Sequence, residues 1–94
     1  MIRHIVIWDL PDKSYAPKIK QELEELANCV PGVVELKVNF NALPSSNKDI
    51  ILNSLFESEE ALKSYQGHPA HVKAGEFIKA VTQNRVCIDY IEET

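Results

Sequence analysis

Tyr65, His68 and His71 fall in one short run, SYQGHPAH, at positions 64–71. A neutral imidazole at pH 7 serves as a general base. A phenol beside it donates a hydrogen bond to a carbonyl or enolate oxygen. Together they suit proton abstraction next to a carbonyl, as in aldol-type ring closure or isomerisation. Tyr65 ends one helical pattern and His71 falls in the first turn of the next, with Gly67 and Pro69 between them. Such a corner can turn both side chains toward one spot. A histidine near a helix N-terminus is expected below its ordinary pKa, because the dipole disfavours the cation. The competing reading is that both histidines only cap the corner. For His68, which precedes Pro69 and is biased away from helical backbone, capping is the simpler reading. For His71 both readings stand.

Two further polar groups belong to the same question. His4 shares one face of a strand pattern with Val6 and Trp8. It is either a hydrogen-bonded core histidine or a helper at the site. Trp8 reads as packing, at a barrel wall or an interface. Asp89 pairs with Arg85 or with a histidine. His68 and His71 are three apart, but His68 lies outside the helix, so they do not share a helical face. No Cys/His cluster of zinc type occurs, and no metal is expected. There is no Gly-rich phosphate loop and no G-x-S-x-G elbow.

The elements that must position these residues are legible as periodicities. Ile2–Trp8 is rich in β-branched residues and reads as a strand. A helix follows over about Tyr15–Asn28, with Ile19, Leu23, Leu26 and Val30 as its apolar stripe and Pro31-Gly32 as its stop. Val33–Phe40 alternates, with Val34, Leu36, Val38 and Phe40 on one side. Residues 41–48 are turn chemistry, and Asp49–Phe56 is a third strand. Ser58 is an N-cap for a helix carrying Leu62 and Tyr65. Pro69 opens a further helix with a stripe of Ala74, Phe77, Ile78 and Val81. Arg85–Ile91 is the last strand. The order β-α-β-β-α-β predicts a ferredoxin-like α+β sandwich with one four-stranded antiparallel sheet. Both faces of that sheet are apolar, and helices cover only one. A second copy of the chain, sheet against sheet, is the economical cover, giving a homodimer with a barrel-like interior.

Composition bounds the function. The chain has 94 residues, and one domain over 1–94 is expected. Its net charge is -4 with scattered lysines and arginines, so no nucleic-acid partner is expected. No apolar run reaches the roughly 20 residues of a membrane span, and the N-terminus has no signal-peptide pattern. Cys29 and Cys87 read as reduced core thiols of a cytoplasmic protein, with a bridge between them left open.

MIRHIVIWDL, FESEEALKSYQGHPAHV and RVCIDY resemble the stress-responsive A/B barrel family over nearly the whole chain. The resemblance implies a ferredoxin-like fold that dimerises through its sheets into an α+β barrel. Many members have no assigned activity. Others are similar to enzymes that close polyketide chains by aldol chemistry without a cofactor. It implies His71 as base, Tyr65 as the residue that binds or polarises the substrate, and His4 near the pocket. The family often carries an aromatic–lysine pair at the end of strand one. Here the pair is Trp8-Asp9, which reverses the charge and removes a lysine that would steer an anion.

Three functions follow as expectations. The first is a cofactor-independent lyase or cyclase acting on a small carbonyl compound. The second is a non-catalytic, stress-related dimer that binds a small apolar molecule or serves a structural role. The third, from related barrel folds, is a cofactor-free monooxygenase. The aromatic residues expected to line the pocket, or to fill it in a non-catalytic protein, are Trp8, Phe40, Phe56 and Tyr90.

Overall fold

Alternate residues of Ile2–Asp9 are buried, and this strand, β1, lies between two others in the sheet. The computed structural model describes residues 1–93; Thr94, the last residue of the expected domain, lies outside the described residues. β2 (Val33–Asn39), β3 (Ile50–Phe56) and β4 (Gln83–Ile91) complete an antiparallel sheet in the order β2-β3-β1-β4. The helices are α1 (Ala16–Glu25), α2 (Glu59–Gly67) and α3 (Pro69–Val81). Short 3-10 turns at Lys13–Tyr15 and Leu26–Asn28 flank α1. This is the expected ferredoxin-like sandwich, with its second helical region broken in two.

The sheet's inner face supplies Val6, Trp8, Val38, Leu52 and Phe56 to the core, against Ile19 and Leu23 of α1, Leu62 and Tyr65 of α2, and Ala74 and Ile78 of α3. Ser58 caps α2, its hydroxyl accepting from the Ala61 amide at 3.1 Å. Gly32, which follows the first helical segment, has φ +87°, and a Cβ there would come within 2.6 Å of the Ala61 Cβ. Glycine is therefore required both by backbone conformation and by the approach of α2.

Two expectations are corrected. Periodicity places Val34 beside Leu36, but the register shifts between Val33 and Glu35, Val33 pairs with Phe56, and Val34 is 45% exposed. An extra residue in one strand reverses the alternation beyond it. Cys29 and Cys87 are not core residues; both are free thiols and both are exposed. Trp8 packs as expected, buried on the helix-covered face because it follows His4 and Val6 in the alternation of β1.

β4 is an edge strand, and every one of its residues is exposed. On its outer side Val86 and Ile88 stand opposite Ile7 and Ile5, and Ile7 stands opposite Ile51 on β3. Val86 and Ile88 are about half exposed, so the uncovered face is apolar. Arg3 sits at one margin of it, with its donors taken up by Glu92, Glu35 and Asn53.

Candidate functional site

No helix covers the inner side of β4, and α3 stands off from it. A cavity of about 420 Å³ opens there, with His4, Trp8, His71, Ile78, Lys79 and Arg85 in its wall. The volume lies within the usual range for small-molecule sites. The site is thus between sheet and helix, on the side of the sheet opposite the face through which a barrel would close.

α2 and α3 bring Tyr65 and His71 together. His68 has extended backbone (φ -66°, ψ 135°), ends α2 and caps α3, its Nδ1 accepting from the Ala70 amide at 3.1 Å. The capping reading of His68 holds. The bend places the Tyr65 and His71 rings 4.4 Å apart between centroids. His71 Nδ1 lies 3.1 Å from the Gln66 carbonyl oxygen. A carbonyl only accepts, so Nδ1 carries the proton and Nε2 carries the lone pair. Burial lowers the His71 pKa below 6.5; the bond to the Gln66 carbonyl opposes this, and the charges of His4, Arg85 and His68 add to the lowering. Burial is the leading cause, where the sequence pointed to the helix dipole. The result is a neutral imidazole at pH 7 with a free basic nitrogen.

Tyr65 is fully buried, and its hydroxyl has no hydrogen-bond partner among the described residues. Burial raises the phenol well above its ordinary pKa, so it stays a donor. Its ring also packs on Phe56, at 4.9 Å, and edge-on to His4, at 6.5 Å. Tyr65 is therefore beneath the cavity wall, behind His71.

His4 is buried at the centre of the sheet, and its Nδ1 is hydrogen-bonded to the Asp89 carboxylate on β4. Strand register explains the pairing, since His4 and Asp89 are direct cross-strand partners. The carboxylate fixes the proton on Nδ1 and leaves Nε2 as acceptor. Cys87 Sγ lies 3.8 Å from His4 Nδ1 and 3.7 Å from Asp89. These three are the residues that could offer a metal one nitrogen, one sulfur and one oxygen, all within 4.8 Å. Burial and the Asp89 charge raise the Cys87 thiol pKa, which favours a protonated, hydrogen-bonded cluster over the thiolate a metal requires.

The expected aromatic lining is only partly present. Trp8 lines the cavity. Phe56 is fully buried behind it, against Tyr65 and His4. Phe40 lines a different cavity, of about 450 Å³, under the 41–49 loop with Asn39 and Lys48 and without a histidine. Tyr90 is on the outer side of β4, as Arg3 opposite it requires. Tyr90 lies outside this site because it is on the other face of the sheet from His4, and Phe40 because it follows the end of β2, packed against the core at the 41–49 loop.

Two cations were missed as site residues. Lys79 and Arg85 line the cavity, whereas Asp9 does not. β4 carries an extra residue where Ile7 pairs with Val86 but Asp9 pairs with Gln83. Asn84 adopts φ +53° there and donates to the Asp9 carboxylate at 2.7 Å. Lys48 takes the same carboxylate at 3.5 Å. Asp9 does not itself line the cavity, but its carboxylate lies one hydrogen bond behind the lining residue Asn84 and is partly offset by Lys48. The signal for Lys79 was available: His71, Gly75, Ile78, Lys79 and Thr82 recur at helical spacing, a second stripe beside the apolar one.

The sequence profile of the stress responsive A/B barrel domain matches residues 2–92. No curated protein matches the sequence. Among solved structures, a dimeric protein of unknown function with a ferredoxin-like fold from Bacteroides fragilis is 28% identical, covers 95% of this chain and 93% of its own, and has a TM-score of 0.85. A protein from Arabidopsis thaliana is 20% identical, with 100% and 97% covered and a TM-score of 0.86. A hydroxynitrile lyase from Passiflora edulis is 20% identical, with 99% and 94% covered and a TM-score of 0.84.

Proposed function

Since the chain belongs to the stress responsive A/B barrel domain family, we propose that it is a cofactor-independent acid–base enzyme of lyase or cyclase type, acting on a small carbonyl compound as a homodimer. The observation that supports this most is the state of His71: in the cavity wall, neutral at pH 7, with its proton held on Nδ1 by Gln66. Nε2 takes the proton from the carbon next to the substrate carbonyl. The electron pair of the broken C–H bond moves to the carbonyl oxygen, forming an enolate. The Tyr65 hydroxyl, unpartnered but beneath the cavity wall behind His71, is the donor for that oxygen once substrate binding moves the wall aside. Ring closure or cleavage follows from the enolate, and the imidazolium returns its proton to the product. His4, oriented by Asp89, lines the same cavity with an accepting Nε2 and helps by taking a hydrogen bond from a substrate hydroxyl. The solved hydroxynitrile lyase supports the lyase type only in that the same fold hosts such chemistry.

Pairing through the outer sheet face covers Val86 and Ile88 and leaves the cavity open on the other side. The Bacteroides fragilis relative is itself dimeric.

A thermal-shift screen of small aromatic and aliphatic ketones against wild type and His71→Ala tests the reading. Binding to the folded state raises its melting temperature. A stabilising ketone whose effect vanishes in the variant is the expected result. Ligands indifferent to the substitution favour a non-catalytic binding dimer instead.

A further inference from the structure

The cavity has two chemically different ends. His71 opens α3, and Lys79 lies eight residues on, about 12 Å along the helix axis. On the facing strand, Asp89 marks the position of His4, and Arg85 lies four residues back, about 13 Å along the strand. β4 returns directly from the C-terminal end of α3, so the backbones of Lys79 and Arg85 share one end and the two imidazoles share the other, and the Arg85 side chain reaches back from there toward Cys87, where its charge acts on His71.

The cationic end is unusual for this chain. Its net charge is -4, yet no aspartate or glutamate lines the cavity. Arg3, Lys13, Lys20 and Lys48 are each paired with a carboxylate. Lys79 and Arg85 have no carboxylate partner among the described residues, although both line the same concave surface. The walls between the two ends are apolar: Val6, Trp8, Leu52 and Ile78. Gly75 faces this space, and a Cβ there would meet nothing within 4 Å.

We propose that the ligand is a ketone carrying a carboxylate at its far end, with the carboxylate held by Lys79 and Arg85, an apolar chain along Trp8 and Ile78, and the carbonyl at His71. The carbonyl's placement rests on the acid–base reading of His71; the anion site does not. A planar guanidinium suits a carboxylate, and the apolar walls beside it exclude part of the solvent that would screen the pair.

The test uses 6-oxo-6-phenylhexanoate and its primary amide, which differ in charge and little in shape. Calorimetric titration of the full chain at low salt should show the acid binding about tenfold tighter than the amide. The preference should shrink as salt is raised. It should vanish in Lys79→Gln/Arg85→Gln, with amide affinity retained, and should reverse in Lys79→Glu/Arg85→Glu. Both positions are exposed, and circular dichroism checks that each variant folds. Equal affinity for acid and amide, a preference that survives the double substitution, or no binding of either compound overturns the proposal. Deuterium uptake at the methylene beside the ketone, followed in the same samples, separates the two readings. Acid preference without uptake leaves the anion site standing and removes the base; uptake from acid and amide alike does the reverse.

Discussion

Tyr65 and His71 come from different helices, yet their rings lie 4.4 Å apart, tilted by 56°. The break at His68–Pro69 makes this possible. An uninterrupted helix would place residues six apart about 120° from one another around the axis and well over a turn apart along it. Here one helix ends, the next begins, and a buried phenol comes to rest under a base.

Removing the Tyr65 hydroxyl separates structure from chemistry. A buried donor without a partner costs about 1–3 kcal/mol. Tyr65→Phe should therefore leave the melting temperature unchanged or raise it, since the ring packing is kept. Turnover of a ketone substrate should fall about 100-fold or more, the usual effect of losing one donor to a developing oxyanion. A marked loss of stability with unchanged turnover would show that the hydroxyl serves the fold.

The pH dependence follows from the lowered His71 pKa. The basic form is populated above the folded-state value, which lies below 6.5. kcat/KM should be flat through neutrality and fall as pH drops through a midpoint below 6.5. Stability should move in the same direction. As pH falls below about 6.5, the unfolded histidine binds a proton before the folded one does. The His71 contribution is thus fully present above that pH and lost toward the folded pKa. Denaturant titrations from pH 7.5 to 5 should show a steeper loss for wild type than for His71→Gln. Parallel curves would contradict the assignment.

Gly75 offers a way to close the cavity without disturbing the core. It lies within α3, with open space where a side chain would go. Gly75→Leu should stabilise the protein by about 0.5–1 kcal/mol through helix propensity alone. It should also abolish ligand binding by filling the space between His71 and Lys79. Binding that persists, measured by calorimetry, would place the ligand elsewhere, the loop cavity beside Phe40 being the next candidate.

The outer sheet face makes a separate prediction. Ile88, on the edge strand β4, is 57% exposed there and stands opposite Ile5 of β1. Ile88→Lys should convert a dimer at micromolar concentration to a monomer in sedimentation velocity, while the inner core is left intact. A wild-type monomer at that concentration would refute the sheet-to-sheet pairing.

Most of the fold is legible in the sequence because each element declares its own period. The stripe Ile19, Leu23, Leu26 and Val30 is buried throughout, and Ser58 and Pro69 begin helices where they were expected to. What fails does so at strand irregularities. A bulge at Val33–Glu35 turns Val34 outward, and another around Asn84 gives that residue a positive φ and brings it onto Asp9, while Arg85 follows Asp89 and Cys87 by plain alternation. Periodicity cannot reveal an extra residue that only cross-strand pairing defines. Similarly, His4 and Asp89 are partners by register, a relationship between positions at opposite ends of the chain. Cys87 is exposed because apolar neighbours in sequence do not bury an edge strand, and Cys29 because it lies just past the turn that ends the first helical segment.

The most direct measurement is proton exchange at carbon. 6-Oxo-6-phenylhexanoate or its amide is incubated in D₂O with wild type and with His71→Gln, and the methylene beside the ketone is followed by NMR. The account predicts catalysed deuterium uptake by wild type, and a loss of about 100-fold or more in the variant with its fold and dimer intact. Uptake at equal rates in both proteins, or none above the uncatalysed rate in either, would contradict His71 as the base.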